Sequence, residues 1–152
     1  MATVYLADNY SQPMPTAGFA GIQMVRDFLF TVSTAFVIND TVKLCQIPGI
    51  SGIVVDNWFL SMPDLDTHTT PLVRVQLGDT DTADKFMAAY DATSTADDLA
   101  AKINGVVAIL PVSYSANKDL ILKVSTAPAT GATGVVIKGQ LYYHEIGPAT
   151  PV

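Results

Sequence analysis

From Phe28 onward the chain breaks into short runs of β-branched and aromatic residues separated by Gly, Pro, Asn and Asp, a texture that predicts many short strands. The runs place strands over 28–38, 41–47, 52–62, 71–78, 105–115, 118–126 and 134–146, with a further short one at 3–7. Alternation is clearest in Asp119-Leu120-Ile121-Leu122-Lys123-Val124-Ser125, where Leu120, Leu122 and Val124 share the face expected in the core. In the last strand Val135, Ile137, Gly139, Leu141 and Tyr143 share one face. Val136, Lys138, Gln140, Tyr142 and His144 share the other, a mixed face suited to a partner. Between these two strands the segment 128–134 is too rich in glycine and too short for a helix, so it is expected to form a hairpin connection.

Two stretches carry helical spacing instead. They are 83–90 and 95–103, the second with Thr95 placed to cap it and Asp97 and Asp98 at its positive end. Both are short and read as an insertion between strands. The class is therefore all-β: a two-sheet β-sandwich, jelly-roll-like in its count of seven or eight strands, with one or two short helices. Residues 1–27 differ in texture, since Pro13, Pro15, Gly18 and Gly21 punctuate small and polar residues. They predict an extended, irregular N-terminal arm ahead of a sandwich domain over 28–152, and the sandwich is expected to stay folded when the arm is removed. A Gly/Pro-rich segment cannot pack apolar side chains regularly into its own sandwich. Phe19, Ile22 and Met24 are accordingly expected against another chain, joined by Tyr142 from the mixed face of the last strand.

Composition narrows the function. At 152 residues the chain is one domain with one core, and 49% hydrophobic against 14% charged residues excludes a disordered polyelectrolyte. Free globular domains carry about 25% charged residues. So uncharged a surface is expected to be covered, by self-association or by docking on a larger body. A net charge of −6 has the wrong sign for neutralising phosphates, so no nucleic acid is expected as a partner. No apolar run is long enough for a membrane-spanning helix, and the first residues lack the basic and apolar regions of a secretory signal. The expectation is a protein without a membrane partner that stays in the cell until release. Cys45, the lone cysteine, excludes an internal disulfide and is expected as a buried apolar filler, with Trp58 also in the core.

Candidate chemistry is sparse. Gly78-Asp79-Thr80-Asp81-Thr82-Ala83-Asp84 is the densest acidic cluster, but it lacks the mid-loop glycine and closing glutamate of a calcium loop. It reads as a solvated turn, and whether Asp79, Asp81 and Asp84 take a cation stays open. His68 lies in a polar connection and His144 at the end of the last strand, without H-E-x-x-H or any zinc spacing. Gly49-Ile50-Ser51-Gly52 is not a nucleophile elbow, and no phosphate-binding glycine motif occurs. No catalytic residue, metal site or cofactor is expected, and the chain is not expected to be an enzyme.

Three stretches carry a family likeness: Asp40-Thr41-Val42-Lys43-Leu44-Cys45-Gln46-Ile47-Pro48; Val73-Arg74-Val75-Gln76-Leu77-Gly78-Asp79 with Ala83-Asp84-Lys85-Phe86; and Leu120 through Gly134. Together they resemble the small β-rich decoration, or cement, proteins of tailed-bacteriophage heads. The resemblance spans about residues 40–146, leaves the arm unmatched, and rests on strand-and-turn patterns. It implies a jelly-roll sandwich made in the bacterial host cytoplasm and carried on the outside of the virion. There it would bind the major capsid protein as a homodimer or homotrimer and tie neighbouring capsomers together, with no catalytic residues. Binding only the assembled shell stabilises that state by mass action. Two other readings stay open. One is a head-tail joining or tail component. The other is a carbohydrate-binding sandwich, which requires an exposed aromatic platform, whereas the aromatics here lie mostly within the apolar runs.

Overall fold

A computed structural model of the chain describes residues 1–15, 21–49, 52–92, 97–98 and 111–146. Their strands are β1 (Val4–Leu6), β2 (Met24–Thr31), β3 (Thr41–Ile47), β4 (Ile53–Met62), β5 (Arg74–Asp79), β6 (Met87–Asp91), β7 (Asp97–Asp98), β8 (Val112–Tyr114), β9 (Lys118–Thr126) and β10 (Val136–Glu145). One sheet has the order β1-β3-β9-β5-β6, and the other runs β2-β10-β4, with β7 and β8 both on the far side of β4.

The pairings are nested. β5 pairs with β6, β4 with β8, β3 with β9 and β2 with β10, all antiparallel, and successive pairs fall in alternate sheets. The chain is thus one long hairpin turned back after β5 and wound up, and the lateral pairs β10–β4 and β9–β5 lock the winding. This is a jelly-roll-like β-sandwich, all-β as the strand texture predicts.

The core lies between the two sheets. Leu120, Leu122 and Val124 are buried as expected, and with Leu44, Val75 and Leu77 they face Phe28, Trp58, Leu60, Ile137, Leu141 and Tyr143 across the sandwich. Cys45 is buried too. A register shift between Lys43 and Cys45 explains how neighbours Leu44 and Cys45 both point away from solvent. In β10, odd positions from Ile137 to Glu145 are buried and even ones at least partly exposed, the division that alternation predicts. Gly139 sits among the buried ones because β4 and Phe28 come too close for a side chain. A Cβ there would lie 2.1 Å from the Phe59 carbonyl oxygen and 2.6 Å from Phe28 Cζ.

Several expectations are corrected. The stretch 83–90 is not a helix: its second half is β6, because the free edge of β5 supplies strand partners that outweigh local spacing. Of the helix expected at 95–103, Asp97 and Asp98 are instead β7, paired with Met62 and Ser61, and the rest lies outside the described residues. No helix occurs among the described residues. The strand expected over 28–38 runs from 24 to 31, and of 105–115 only 112–114 is a strand among the described residues. Segment 128–134 is not a hairpin connection, since β9 and β10 belong to different sheets. It crosses between them, held by a bridge from Gly131 to Asp66.

Within the segment read as an irregular arm, the short strand expected at 3–7 is β1, and the residues after it are held in place as well. β1 pairs in parallel with β3, and its Tyr5 turns inward to rings Phe30 and Phe36, with centroids 5.8 and 5.9 Å away. Beyond it, the chain crosses to the outer edge of β2. Asp8 N–H donates to the Leu29 carbonyl at 2.7 Å, and Asp8 Oδ2 accepts from Thr31 N–H at 3.1 Å and Oγ1 at 2.8 Å. Asn9 Oδ1 accepts from Leu29 N–H at 3.1 Å, and its Nδ2 donates to the Asp27 carbonyl at 3.0 Å. Buried Arg26 donates to the carbonyls of Asn9 and Gln12, Tyr10 donates to Asp119 Oδ1 at 2.7 Å, and Ala7 and Met14 are buried. β2 itself begins at Met24, inside the range assigned to the arm. Phe19 lies outside the described residues.

Two stability measurements check this packing. Leu122→Ala empties a fully buried site and is expected to cost about 2–5 kcal/mol in denaturant unfolding. Deleting residues 1–12 is expected to lower the melting temperature, because it uncovers the β2 edge and the Phe30–Phe36 pair. An unchanged melting temperature would return that segment to the status of a loose arm.

Candidate interaction surface

The outer faces of the two sheets differ in chemistry. On β3, β9 and β5 the outward positions include Lys43, Gln46, Lys123, Ser125, Arg74 and Gln76, a polar and largely basic surface. On β2, β10 and β4 they form a grid set by register. Leu29, Lys138 and Ser61 make one row, Asp27, Gln140 and Phe59 the next, and Val25, Tyr142 and Asn57 the third. Val136 lies beyond the first row, opposite Thr31. Val25, Leu29 and Val136 are 38%, 39% and 41% exposed, so apolar carbon is presented where alternation would ordinarily place polar groups.

The polar groups on this face largely satisfy one another. Gln140 Nε2 donates to Asp27 Oδ1 at 2.8 Å, and the Tyr142 hydroxyl donates to Gln140 Oε1 at 2.7 Å. Lys138 makes no ion pair among the described residues. At the end of the grid His144 Nδ1 lies 2.8 Å from Asp56 Oδ2. A concavity of about 340 Å³ opens over the middle, lined by Asn9, Asp27, Leu29, Phe59, Lys138 and Gln140 among others.

Of the residues singled out from sequence, Tyr142 lies in the third row of the grid. Ile22 is 49% exposed beside Gly21, whose N–H donates to the Glu145 carbonyl at the end of β10. Met24, opposite Tyr143, is partly buried and packs against the core. Met24 and Tyr142 therefore lie on opposite faces of the sheet. Leu29, Asp27 and Phe59 were not legible as surface residues, since their strands' facing depends on which neighbour covers them.

The acidic residues are structural. Asp79 is fully buried: its Oδ1 accepts from Asp81 and Thr82 N–H, and its Oδ2 from Lys85 Nζ at 2.6 Å and the Tyr114 hydroxyl at 2.9 Å. Burial alone would raise its pKa, but these donors outweigh it and hold it below the usual carboxylate range. Burial, with the bond to Asp79, pushes the Tyr114 hydroxyl up. Asp81 pairs with Lys118 at 2.7 Å. The acidic turn is thus tied into the fold rather than merely solvated. Among the described residues no cluster of His, Cys, Asp and Glu is arranged to hold a metal ion.

Asp66, also buried, is the second hub. Four backbone N–H groups, from His68, Leu72, Ala129 and Thr130, donate to its carboxylate and fasten the loop after β4 to the crossover before β10. Here too burial works upward, and the donors win and hold the pKa well below the usual range. Asp119 takes Tyr10 on one oxygen and Lys43 on the other, at 2.7 Å each. Burial, then the bond to Asp119, pushes Tyr10 up to about 12.

No protein-family model matches the chain, and no curated protein sequence matches it. Solved structures share its fold. A chain from the capsid of Ralstonia phage GP4 aligns with a TM-score of 0.76 at 22% identity, over 96% of this chain and 99% of that one. A chain from the cyanophage Pam1 capsid asymmetric unit aligns with a TM-score of 0.70 at 23% identity, over 88% of this chain and 91% of that one. The likeness is one of fold, and it runs along nearly the whole chain.

The two hubs set the acid limit of this scaffold. Carboxylates whose folded pKa is depressed contribute stability above their unfolded value of about 3.9, and lose it as pH falls toward the folded value. Unfolding free energy is expected to hold from neutrality down to about pH 5 and to fall progressively below that. Asp66→Asn, which turns an acceptor into a donor facing buried N–H groups, is expected to cost roughly 3 kcal/mol at pH 7 and to flatten the acid decline. Urea melts across pH test both.

Proposed function

We propose that this chain is a structural protein of a tailed-bacteriophage head, held on the outside of the shell as a decoration protein that binds the major capsid protein and bridges capsomers. The observation that carries this reading is the fold shared along nearly the whole chain with chains from two phage capsids. The low charged fraction and the apolar outer face of β2-β10-β4 support it, as both suit a surface covered in an assembly. Asp66, Asp79 and Asp119 fasten loops and strands together, which fits a rigid frame built for assembly.

We place the contact with the shell at the end of the sandwich where β10 finishes. Ile22 and Ile146, 49% and 56% exposed, both flank that end, each through a backbone bond at 2.9 Å, Gly21 N–H to the Glu145 carbonyl and Ile146 N–H to the Gly52 carbonyl. Phe19 belongs to the same stretch of sequence. Repetition over many identical sites then multiplies a modest interface.

Purified protein added to expanded shells of the same phage's major capsid protein is expected to co-sediment saturably and to raise the shell's melting temperature. Ile22→Asp is expected to weaken the binding about tenfold or more while leaving the protein's own melting temperature unchanged. Assembly of the isolated protein into rings that bind no shell would support a head-tail joining role instead.

A further inference from the structure

We propose that the outer face of β2-β10-β4 pairs two copies of this chain about a two-fold axis lying in the plane of that sheet. The inference rests on this face being a contact surface. It needs no capsid, so its failure and that of the shell-binding reading are told apart.

The argument starts from charge. At a net charge of −6 two copies repel on average, and close approach is favoured where a patch is locally neutral and self-complementary. The grid offers such a patch. Lys138 is a cation without an ion pair among the described residues, and Asp27 uses Oδ1 for Gln140, with no bond to its Oδ2 among those residues. They sit on adjacent strands one row apart.

Geometry adds a second match. An isologous contact requires that residue i meet residue j and that j meet i. A two-fold axis through Leu29 and Gln140 carries Lys138 close to the partner's Asp27, and the same axis carries Phe59 close to the partner's Tyr142. One operation therefore pairs opposite charges and stacks aromatic rings, with Leu29 meeting its own symmetry mate. The partner's Tyr142 would enter the concavity beside Phe59. Three strands about 30 Å long and about 4.8 Å apart present a footprint of roughly 430 Å², about half of the ~800 Å² per partner that a standard interface buries, so the pairing is expected to be of micromolar rather than nanomolar strength.

The test uses the full chain in solution. Sedimentation equilibrium at about 100 µM, which fills any interface tighter than about 10 µM, is expected to return a dimer. Asp27→Lys and Lys138→Asp, both exposed substitutions, are each expected to lower dimer affinity about tenfold or more by setting like charges opposite one another. Mixing the two variants restores both opposite-charge pairs, so native mass spectrometry is expected to find the heterodimer with wild-type affinity. A monomer or trimer for the unsubstituted chain, single variants that stay dimeric, or a mixture that fails to recover would each overturn the proposal.

Discussion

The second sheet exists only when β10 reaches its slot. Among the described residues β2 has no strand partner but β10, and β10 pairs on its other side with β4, so the last long strand holds together segments from near the start and the middle of the chain. Gly139 makes the slot possible, because any side chain there would strike the β4 backbone and Phe28. Closing such non-local pairs costs chain entropy before contacts repay it, so the docking of β10 is expected to be a slow step of folding. Everything on the outer face inherits its geometry from that step, since the rows of the grid are nothing but the register of β10 against its two neighbours.

Loops are held by a different device. A wound hairpin leaves its crossovers with unpaired backbone donors, and buried donors without acceptors are costly. Asp66 answers this by receiving four of them from two loops distant in sequence, while Asp79 anchors the turn between β5 and β6. A protein that keeps its carboxylates for such work has a stiff frame, and stiffness limits the entropy lost when the frame becomes part of a larger assembly.

Much of this was legible in the sequence, and the exceptions share a cause. Alternation in 119–125 and in the last strand placed Leu120, Leu122, Ile137 and Leu141 correctly, because a period of two records which face is covered whatever covers it. It misplaced the helix at 83–90 and the hairpin at 128–134. There the outcome depends on an edge offered by a remote strand, or on which sheet the next strand joins, and neither leaves a local trace. The strand at 3–7 was legible, but the residues just after it were not, for a related reason. Asp8 and Asn9 look like loop residues, yet their side chains act as the neighbouring strand that β2 lacks. On the outer face of β2-β10-β4, the outward position of Tyr142 was legible through the mixed composition of its strand face, whereas Phe59 reads as core in an apolar run and is outward only because of the register between β4 and β10.

That same substitution of side chains for a strand decides what kind of growth is open to the protein. A bare rim of amides and carbonyls is a template on which identical molecules zip sideways without limit, giving ribbons and eventually fibres. With the rim of β2 already occupied from within, recruitment along it stops before it starts.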